Sequence, residues 1–351
     1  MMKIITCSDQ AEWNKIVKSF ADWDVYYLFQ YAWSLQLHGD GEPLLVYYES
    51  EQMRMAYVVM QTDIADSFYF EGEIDKNQCF DWSTPYGYGG PLCEGKRDEK
   101  ELQRFERELR QYCNENGIVS QFNRFHPILQ NQDIPYMASD VVHLKKTVYM
   151  DLADQETIWK NMTSNCRQNI RKATGNGIRI CWDQGEQLED FICVYEATMN
   201  YHEAEEFYFF KKQYFQYLTD NLREYMCMFY ATYEERVVCA ALFLFNGTYL
   251  HYHLGGTLPE YRNLGAMNLL LYEAAKWGEE KGMKIMHLGG GVQAEDSLLR
   301  FKKQFNRNGM LDFCIGKMIF MQETYDELVM IRKRKDKDFM KKKHLLIEYR
   351  S

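Results

Sequence analysis

Two stretches of this chain, 166 residues apart, carry the same run of landmarks, and that repetition restricts the fold more than any single motif. Gly89-Gly90-Pro91-Leu92 and Gly255-Gly256-Thr257-Leu258 share one form. A helix-like stretch comes after each, Glu101 to Asn116 in one case and Met267 to Lys281 in the other. Each helix stops at a glycine, Gly117 or Gly282, the residue type that most readily closes a helix in the left-handed conformation. Each glycine then precedes an apolar run, Ile118 to Phe122 or Met283 to Leu288. Paired Gly-Gly-x-Leu arises easily by chance. Helix, stop glycine and apolar run at nearly one offset point to a duplicated domain. A chain of 351 residues exceeds one ordinary core and suits two, so two related α/β (α+β) halves are expected.

Composition excludes several classes. At 46% apolar and 26% charged the chain is globular rather than disordered. No stretch approaches the roughly 20 apolar residues of a membrane-spanning helix, so no integral membrane segment is expected. The opening MMKIITCSDQAEW lacks the basic region, apolar block and small-residue site of a signal peptide. The ten cysteines never form C-x-x-C and their spacings suggest no zinc site. They read as reduced thiols of a cytoplasmic protein, with no metal and no tightly bound cofactor. Net charge is −10, but Arg332 to Lys343 (RKRKDKDFMKKK) is strongly basic, leaving −16 on the remainder. Such a body does not draw nucleic acid by general electrostatics. Residues 326–351 are expected to form a basic tail, either a solvated helix or a contact for RNA or an anionic membrane surface.

Periodicity places the elements. Ala11 to Phe20 and Tyr31 to Leu37 read as helices, and Leu44 to Tyr48 with Met53 to Gln61 as a hairpin. The run from Trp82 to Pro91 holds three glycines and two prolines, marking an irregular loop; it is either a tight structural turn or a place where a ligand approaches. A polar link and strand near Asp140 to Met150 set the domain boundary, giving domains 1–145 and 146–325. Gln155 to Thr174 reads as one basic helix stopped by Gly175 and Gly177, then helices over Phe191 to Asn200 and Lys211 to Leu222. Strands are expected over Tyr225 to Tyr233, Val237 to Phe245, Thr248 to Leu254 and Ile285 to Leu288. A last helix runs from Ser297 to Phe305.

The segment His251 to Leu271 (HYHLGGTLPEYRNLGAMNLLL) reads as a strand, a Pro-containing turn and a helix opening on small and amide residues. Helix N-termini carry unpaired N–H groups and partial positive charge, so anions bind there. Arg262-Asn263-Leu264-Gly265-Ala266 resembles the (Gln/Arg)-x-x-Gly-x-(Gly/Ala) loop with which GNAT acyltransferases hold the pyrophosphate of coenzyme A; Met267 stands at its last position. With PYGYGGPL at Pro85, the W-x5-N-x-R-x-x-I-R-K-A helix from Trp159 to Ala173, LPEYRNLGAMNLLLYEAAKW and the late FKKQF, the chain resembles the Fem family. These are tandem-GNAT transferases that build peptidoglycan cross-bridges, with acyl-CoA-dependent relatives in envelope polysaccharide clusters.

The resemblance implies two tandem GNAT-like domains, with the donor site in the second. It implies an N-acyltransferase moving an acyl group, acetyl foremost, from acyl-CoA to an amino group of a cell-envelope sugar or peptidoglycan precursor, nucleotide- or lipid-linked. Donor contacts fall to Arg262, Asn263, Leu264, Gly265, Ala266, Met267 and Asn268. Arg167 and Arg171, four apart and so on one helix face, are expected to grip a substrate diphosphate, with Tyr86 and Tyr88 also facing substrate. Lys302 matches the FK position and is expected to stabilise charge on the attacked carbonyl oxygen. Glu94 is a candidate proton acceptor. His251 and His253, two apart on a strand, share a face; His253 is either a base for the amine or a core histidine, and His287 has the same two readings. Two rivals remain. One is an aminoacyl-tRNA donor, weakened by the absence of sustained heptads for a coiled-coil arm. The other is a non-catalytic scaffold.

Overall fold

The structure, a computed structural model, describes residues 1–292, 295–336, 339 and 346–350. From the N-terminus the elements are β1 (Met2–Ile5), α1 (Gln10–Ser19), α2 (Phe29–His38), β2 (Glu42–Glu49), β3 (Met53–Asp63), β4 (Phe80–Ser83), β5 (Leu92–Gly95), α3 (Glu99–Glu115) and β6 (Ile118–Arg124). Next come β7 (Asp140–Asp151), α4 (Gln155–Asn161), α5 (Ser164–Gly175), β8 (Arg179–Asp183), α6 (Leu188–Tyr201), α7 (Lys212–Asn221), β9 (Met226–Tyr233), β10 (Arg236–Phe245) and β11 (Tyr249–Thr257). The chain closes with α8 (Ala266–Glu280), β12 (Ile285–Gly290), α9 (Ser297–Lys303), β13 (Met310–Ile319) and α10 (Gln322–Lys335). Among the described residues no helix is long and apolar enough to cross a membrane.

Two compact units result: Met1–Leu144 with Phe313–Ser351, and Lys145–Asp312. In the first, strands run in the order β1-β2-β3-β4-β6-β13, with β5 also on β3. In the second the order is β7-β12-β11-β10-β9-β8. The repeated landmarks fall on equivalent parts. Gly117 (φ +69) and Gly282 (φ +81) close α3 and α8 in the left-handed region. The strands after them, β6 and β12, are each added parallel, on β4 and on β11 respectively. The last strand of each repeat is exchanged: β7, next in the chain after β6, pairs with β12, and β13, next after β12, pairs with β6.

That exchange changes the expected boundaries. The first division falls at Leu144/Lys145, but the second unit ends at Asp312, and the chain from Phe313 onward belongs to the first unit. Residues from 326 on do not form a tail over their described part. Arg332 is buried, lies 3.4 Å over the Tyr69 ring and donates to Asp336 at 2.9 Å. Arg334 donates to Glu73 (2.6 Å) and Lys335 to the Glu71 carbonyl (3.0 Å). Tyr349 is buried against Ser120, and Arg350 grips Asp81 with two bonds of 2.6 Å. Several cations expected to meet an RNA or a membrane are therefore held by this unit's own acids and rings. The expected lysines at 337 and 341–343 lie outside the described residues.

The expected basic helix over Gln155 to Thr174 is two helices. The first ends at Asn161, with Met162 extended as its C-cap, and Thr163 caps the second, its hydroxyl accepting from Cys166 N–H at 3.2 Å. In the second unit, Phe229, Ala241, Phe243 and Leu250 pack with Leu270, Leu271 and Ala274 of α8. The alternate positions Ala240, Leu242 and Leu244 are buried as well, and α6 lies on β10 and β11. This accounts for the unbroken apolar run VVCAALFLF, because a strand covered on both faces has no solvent side to alternate with.

Candidate functional site

The centre of the second unit has a break in its hydrogen-bonded ladder. β11 and β12 pair in parallel only through Tyr249↔Ile285, Leu250↔Met286 and His251↔His287. Beyond that, β11 continues to Thr257 on β10, and β12 to Gly290 on β7. Residues 252–257 and 288–290 therefore present facing strand edges with no ladder between them. Unpaired backbone donors and acceptors in mid-sheet are costly unless something extended occupies them. A bulge adds to the divergence: Leu242 pairs with Leu254 and Phe243 with Tyr252, leaving His253 as the extra residue.

β11 leads through Leu258 and a 3-10 turn, Pro259–Leu264, into α8. Gly265 makes the entry at φ +76, where an L side chain is strained. A Cβ there would also stand 2.7 Å from the Asn169 carbonyl oxygen of α5. Lys172 ties the same turn to α5 by donating to the Asn263 carbonyl at 2.7 Å. No side chain caps the first turn of α8, so its leading N–H groups keep the anion-attracting character of an open N-terminus. Within the expected donor loop, Arg262 and Asn263 are exposed, and the Arg262 guanidinium rests 4.8 Å over the Tyr201 ring. Ala266 and Asn268 are buried, the latter donating to Cys166 Sγ at 3.6 Å. Leu264 and Met267 pack against the core. The loop thus offers backbone, Arg262 and Asn263 rather than seven free side chains.

At the far edge of the break stands Lys302, on α9, only 7% exposed. Its Nζ donates to the Gly290 carbonyl at 2.8 Å and lies 5.5 Å over the Tyr252 ring, the first β11 residue past the last ladder pair. Lys145 Nζ donates to the next carbonyls, Gly291 and Val292 (2.5 and 3.3 Å). Burial, with the Lys145 charge added, brings the Lys302 ammonium down to about 7, against a smaller upward pull from Asp296. His253 leaves β11 on the side opposite Tyr252 and meets the Tyr214 hydroxyl at 2.7 Å. Burial, and secondarily His251, lowers it to about 3. His287 bonds Thr147 Oγ1 at 2.9 Å and stacks edge-on to His251. Lys302 and His253, both expected at the reacting groups, therefore flank β11 from opposite faces.

Other expected residues have structural duties. Arg167 donates to the Trp159 and Met162 carbonyls (3.2 and 2.7 Å), closing the C-terminus of α4, while Arg171 lies 5.3 Å over the Trp159 ring. One guanidinium is engaged with backbone carbonyls and the other with a ring face, so both arginines expected to grip a diphosphate have partners within this unit. Arg171 instead borders a cleft of about 650 Å³ between α5 and α8, with Trp159, Thr174, Leu269 and Tyr272; neither Lys302 nor His253 lines it. In the first unit, Glu94 accepts from Arg54 Nε (2.8 Å) and Ala21 N–H (2.6 Å). Burial raises its carboxyl, but these bonds outweigh that and hold it below the ordinary range, which unsuits it to take a proton. The PYGYGGPL loop is the tight-turn alternative. Asn131 Nδ2 binds the Gly89 and Pro91 carbonyls (2.9 and 3.1 Å), and Tyr31 Oη the Tyr86 carbonyl (2.6 Å). Tyr88 packs edge-on with Tyr26, His126 and Phe313, so its ring is committed to the unit's interior. Lys145 and Tyr252 escaped the sequence reading: one sits in a polar link, the other between two histidines that attracted the attention.

Comparison with known proteins bears on the fold. Residues 160–303 match the family described as acetyltransferase (GNAT) domain. No curated protein matches the sequence. Among solved structures, FemX shares 14% identity at a TM-score of 0.65, over 93% of this chain and 99% of its own. A conserved protein of unknown function from Bacteroides thetaiotaomicron shares 10% identity at 0.60, over 90% and 99%. The C-terminal domain of a putative lysylphosphatidylglycerol synthetase from Agrobacterium fabrum shares 12% at 0.56, over 92% and 98%. The fold is that of the tandem-GNAT proteins, the class the sequence resembles, and residues 160–303 are the part that matches the GNAT domain family.

Proposed function

We propose that this chain is an acyl-CoA-dependent N-acyltransferase whose donor site lies in the second unit. It transfers an acyl group, acetyl in the simplest case, to an amino group of a cell-envelope sugar or peptidoglycan precursor. The observation that carries the reading is the ladder break between β11 and β12, next to an uncapped helix start. An extended, amide-bearing chain fits the unpaired strand edges in the way a peptide adds to a sheet edge. A pyrophosphate at its other end suits the first turn of α8 and Arg262. Coenzyme A combines those two features. The envelope acceptor rests on the resemblance to the Fem proteins and on the fold shared with FemX and the synthetase domain.

Amine attack on a bound thioester needs held partners, a counter-charge at the carbonyl oxygen and a route for one proton. His253, at about 3, is too weakly basic to keep a proton taken from an amine near neutrality. Lys302, at about 7, changes charge at working pH. Calorimetry of acetyl-CoA and CoA against the purified chain tests the reading. Micromolar-scale binding, weakened at least tenfold in Arg262→Ala, is expected. Absence of binding at millimolar ligand sinks it and leaves aminoacyl-tRNA as the donor to try.

A further inference from the structure

Lys302 is used by the reading above as an undefined charge beside the reacting groups, and nothing yet gives Lys145 a role. We propose that Lys145 is a positioning residue that keeps the Lys302 amine neutral, so that Lys302 is the group that accepts the proton of the attacking amine. This rests on the acyl-transfer reading but makes a claim of its own about the two lysines.

The geometry carries it. Lys145 reaches the Gly291 and Val292 carbonyls from β7, and Lys302 reaches Gly290 from α9, so two amines converge on three consecutive carbonyls. An ammonium has three N–H groups to satisfy. Buried Lys302 meets one carbonyl and the face of one aromatic ring, Tyr252. A neutral amine has two N–H groups and a lone pair, so with the one carbonyl it leaves fewer donors unmet than the ammonium would, while the ring face at 5.5 Å favours the charged form only weakly. The charged groups facing it are few. Lys145 opposes its protonation; Asp296, which caps α9 through Leu299 N–H at 2.8 Å, favours it less. Lys303, on the same helix, is turned to Glu295 at 3.5 Å. β11 contributes the Tyr252 ring, and from β12 comes the Gly290 carbonyl. Lys145, less buried and bound to two carbonyls, supplies the like charge that opposes protonation of Lys302.

The step balances. The acceptor nitrogen adds to the thioester carbonyl, forming C–N and, on collapse, breaking C–S. Its proton passes to Lys302 Nζ, which then delivers it to the departing thiolate or to water. An oxyanion role would demand the charged lysine, so the two roles predict opposite pH dependences.

The test reads Lys302 directly and needs no acceptor. Protein labelled with 13C at lysine Cε is titrated by NMR, with Lys302→Met assigning the signal. One lysine is expected to titrate near pH 7 and to vanish in Lys302→Met. In Lys145→Met its midpoint should rise by about one to two pH units, the scale for loss of a like charge at close range in a partly buried site. Lys145→Arg, which retains the charge, should leave it near 7. A Lys302 midpoint above 9 in the unaltered protein overturns the proposal, as does a midpoint unmoved in folded Lys145→Met. If Lys145→Met does not fold, Lys145→Gln provides the neutral comparison. Loss of acetyl-CoA binding would refute the donor reading and leave these titrations intact, so the two failures are distinguishable.

Discussion

Gly265 and Gly282 hold nearly the same backbone angle, φ +76 and +81, at opposite ends of α8, yet their surroundings differ. A methyl group at 282 would meet nothing within 4 Å. Gly282→Ala therefore costs only the left-handed penalty of an L residue, about 1–2 kcal/mol. A methyl group at 265 would stand 2.7 Å from the Asn169 carbonyl oxygen, backbone that cannot turn aside. Gly265→Ala adds to the same penalty the cost of pushing α5 off α8, about 1–3 kcal/mol by the scale of overpacked contacts. Urea unfolding monitored by tryptophan fluorescence, with midpoints compared at unchanged slope, should place Gly265→Ala roughly 1–3 kcal/mol below Gly282→Ala. Acetyl-CoA affinity should fall only in the former, since only there is the open helix start displaced. Equal losses of stability in the two variants would refute the claim that this turn is clamped between α5 and α8.

Other contacts give four further expected outcomes. Arg167→Ala should cost about 1–2 kcal/mol by freeing the last carbonyls of α4, with acetyl-CoA affinity unchanged in calorimetry; intact stability with lost affinity would restore it to the site. Arg350→Ala should cost about 2–4 kcal/mol in thermal or urea unfolding, because it strands the buried Asp81 carboxylate. His253 is held near 3 when folded, below its unfolded value of about 6.5, so its contribution is complete above pH 6.5 and is lost as pH falls toward 3. Stability curves of the unaltered protein should therefore fall more steeply than those of His253→Gln in that window, by up to about 1.4 kcal/mol per pH unit. Glu94→Gln should cost about 1 kcal/mol in urea unfolding by loosening the Arg54 clasp.

Much of the fold was legible because it repeats. The two stop glycines, the helices before them and the apolar strands after them arise from local chemistry, and two copies corroborate each other. The strand exchange was not legible. Nothing local to β13 states that its partner is β6 rather than a neighbour in its own repeat, since register and pairing are decided by distant surfaces. The same holds for the C-terminal basic run: charge composition reads as solvated, whereas Arg332 is covered by the Tyr69 ring, far away in sequence. At the site, the Gly265 turn and Lys302 were visible through motif and resemblance. Arg167 misled because helical spacing fixes a face but not what that face meets; the carbonyls of α4 were waiting there. Lys145 had no signal, because the role proposed for it comes from sharing a carbonyl turn with a residue far along the chain.

Hydrogen exchange read by mass spectrometry, with and without saturating acetyl-CoA, tests the central claim most directly. The donor should slow exchange at the amides of residues 252–257 on β11 and 266–269 at the start of α8, with the first unit little changed. Protection confined to other segments, or none at saturation, would contradict the assignment of the donor to the β11–β12 opening.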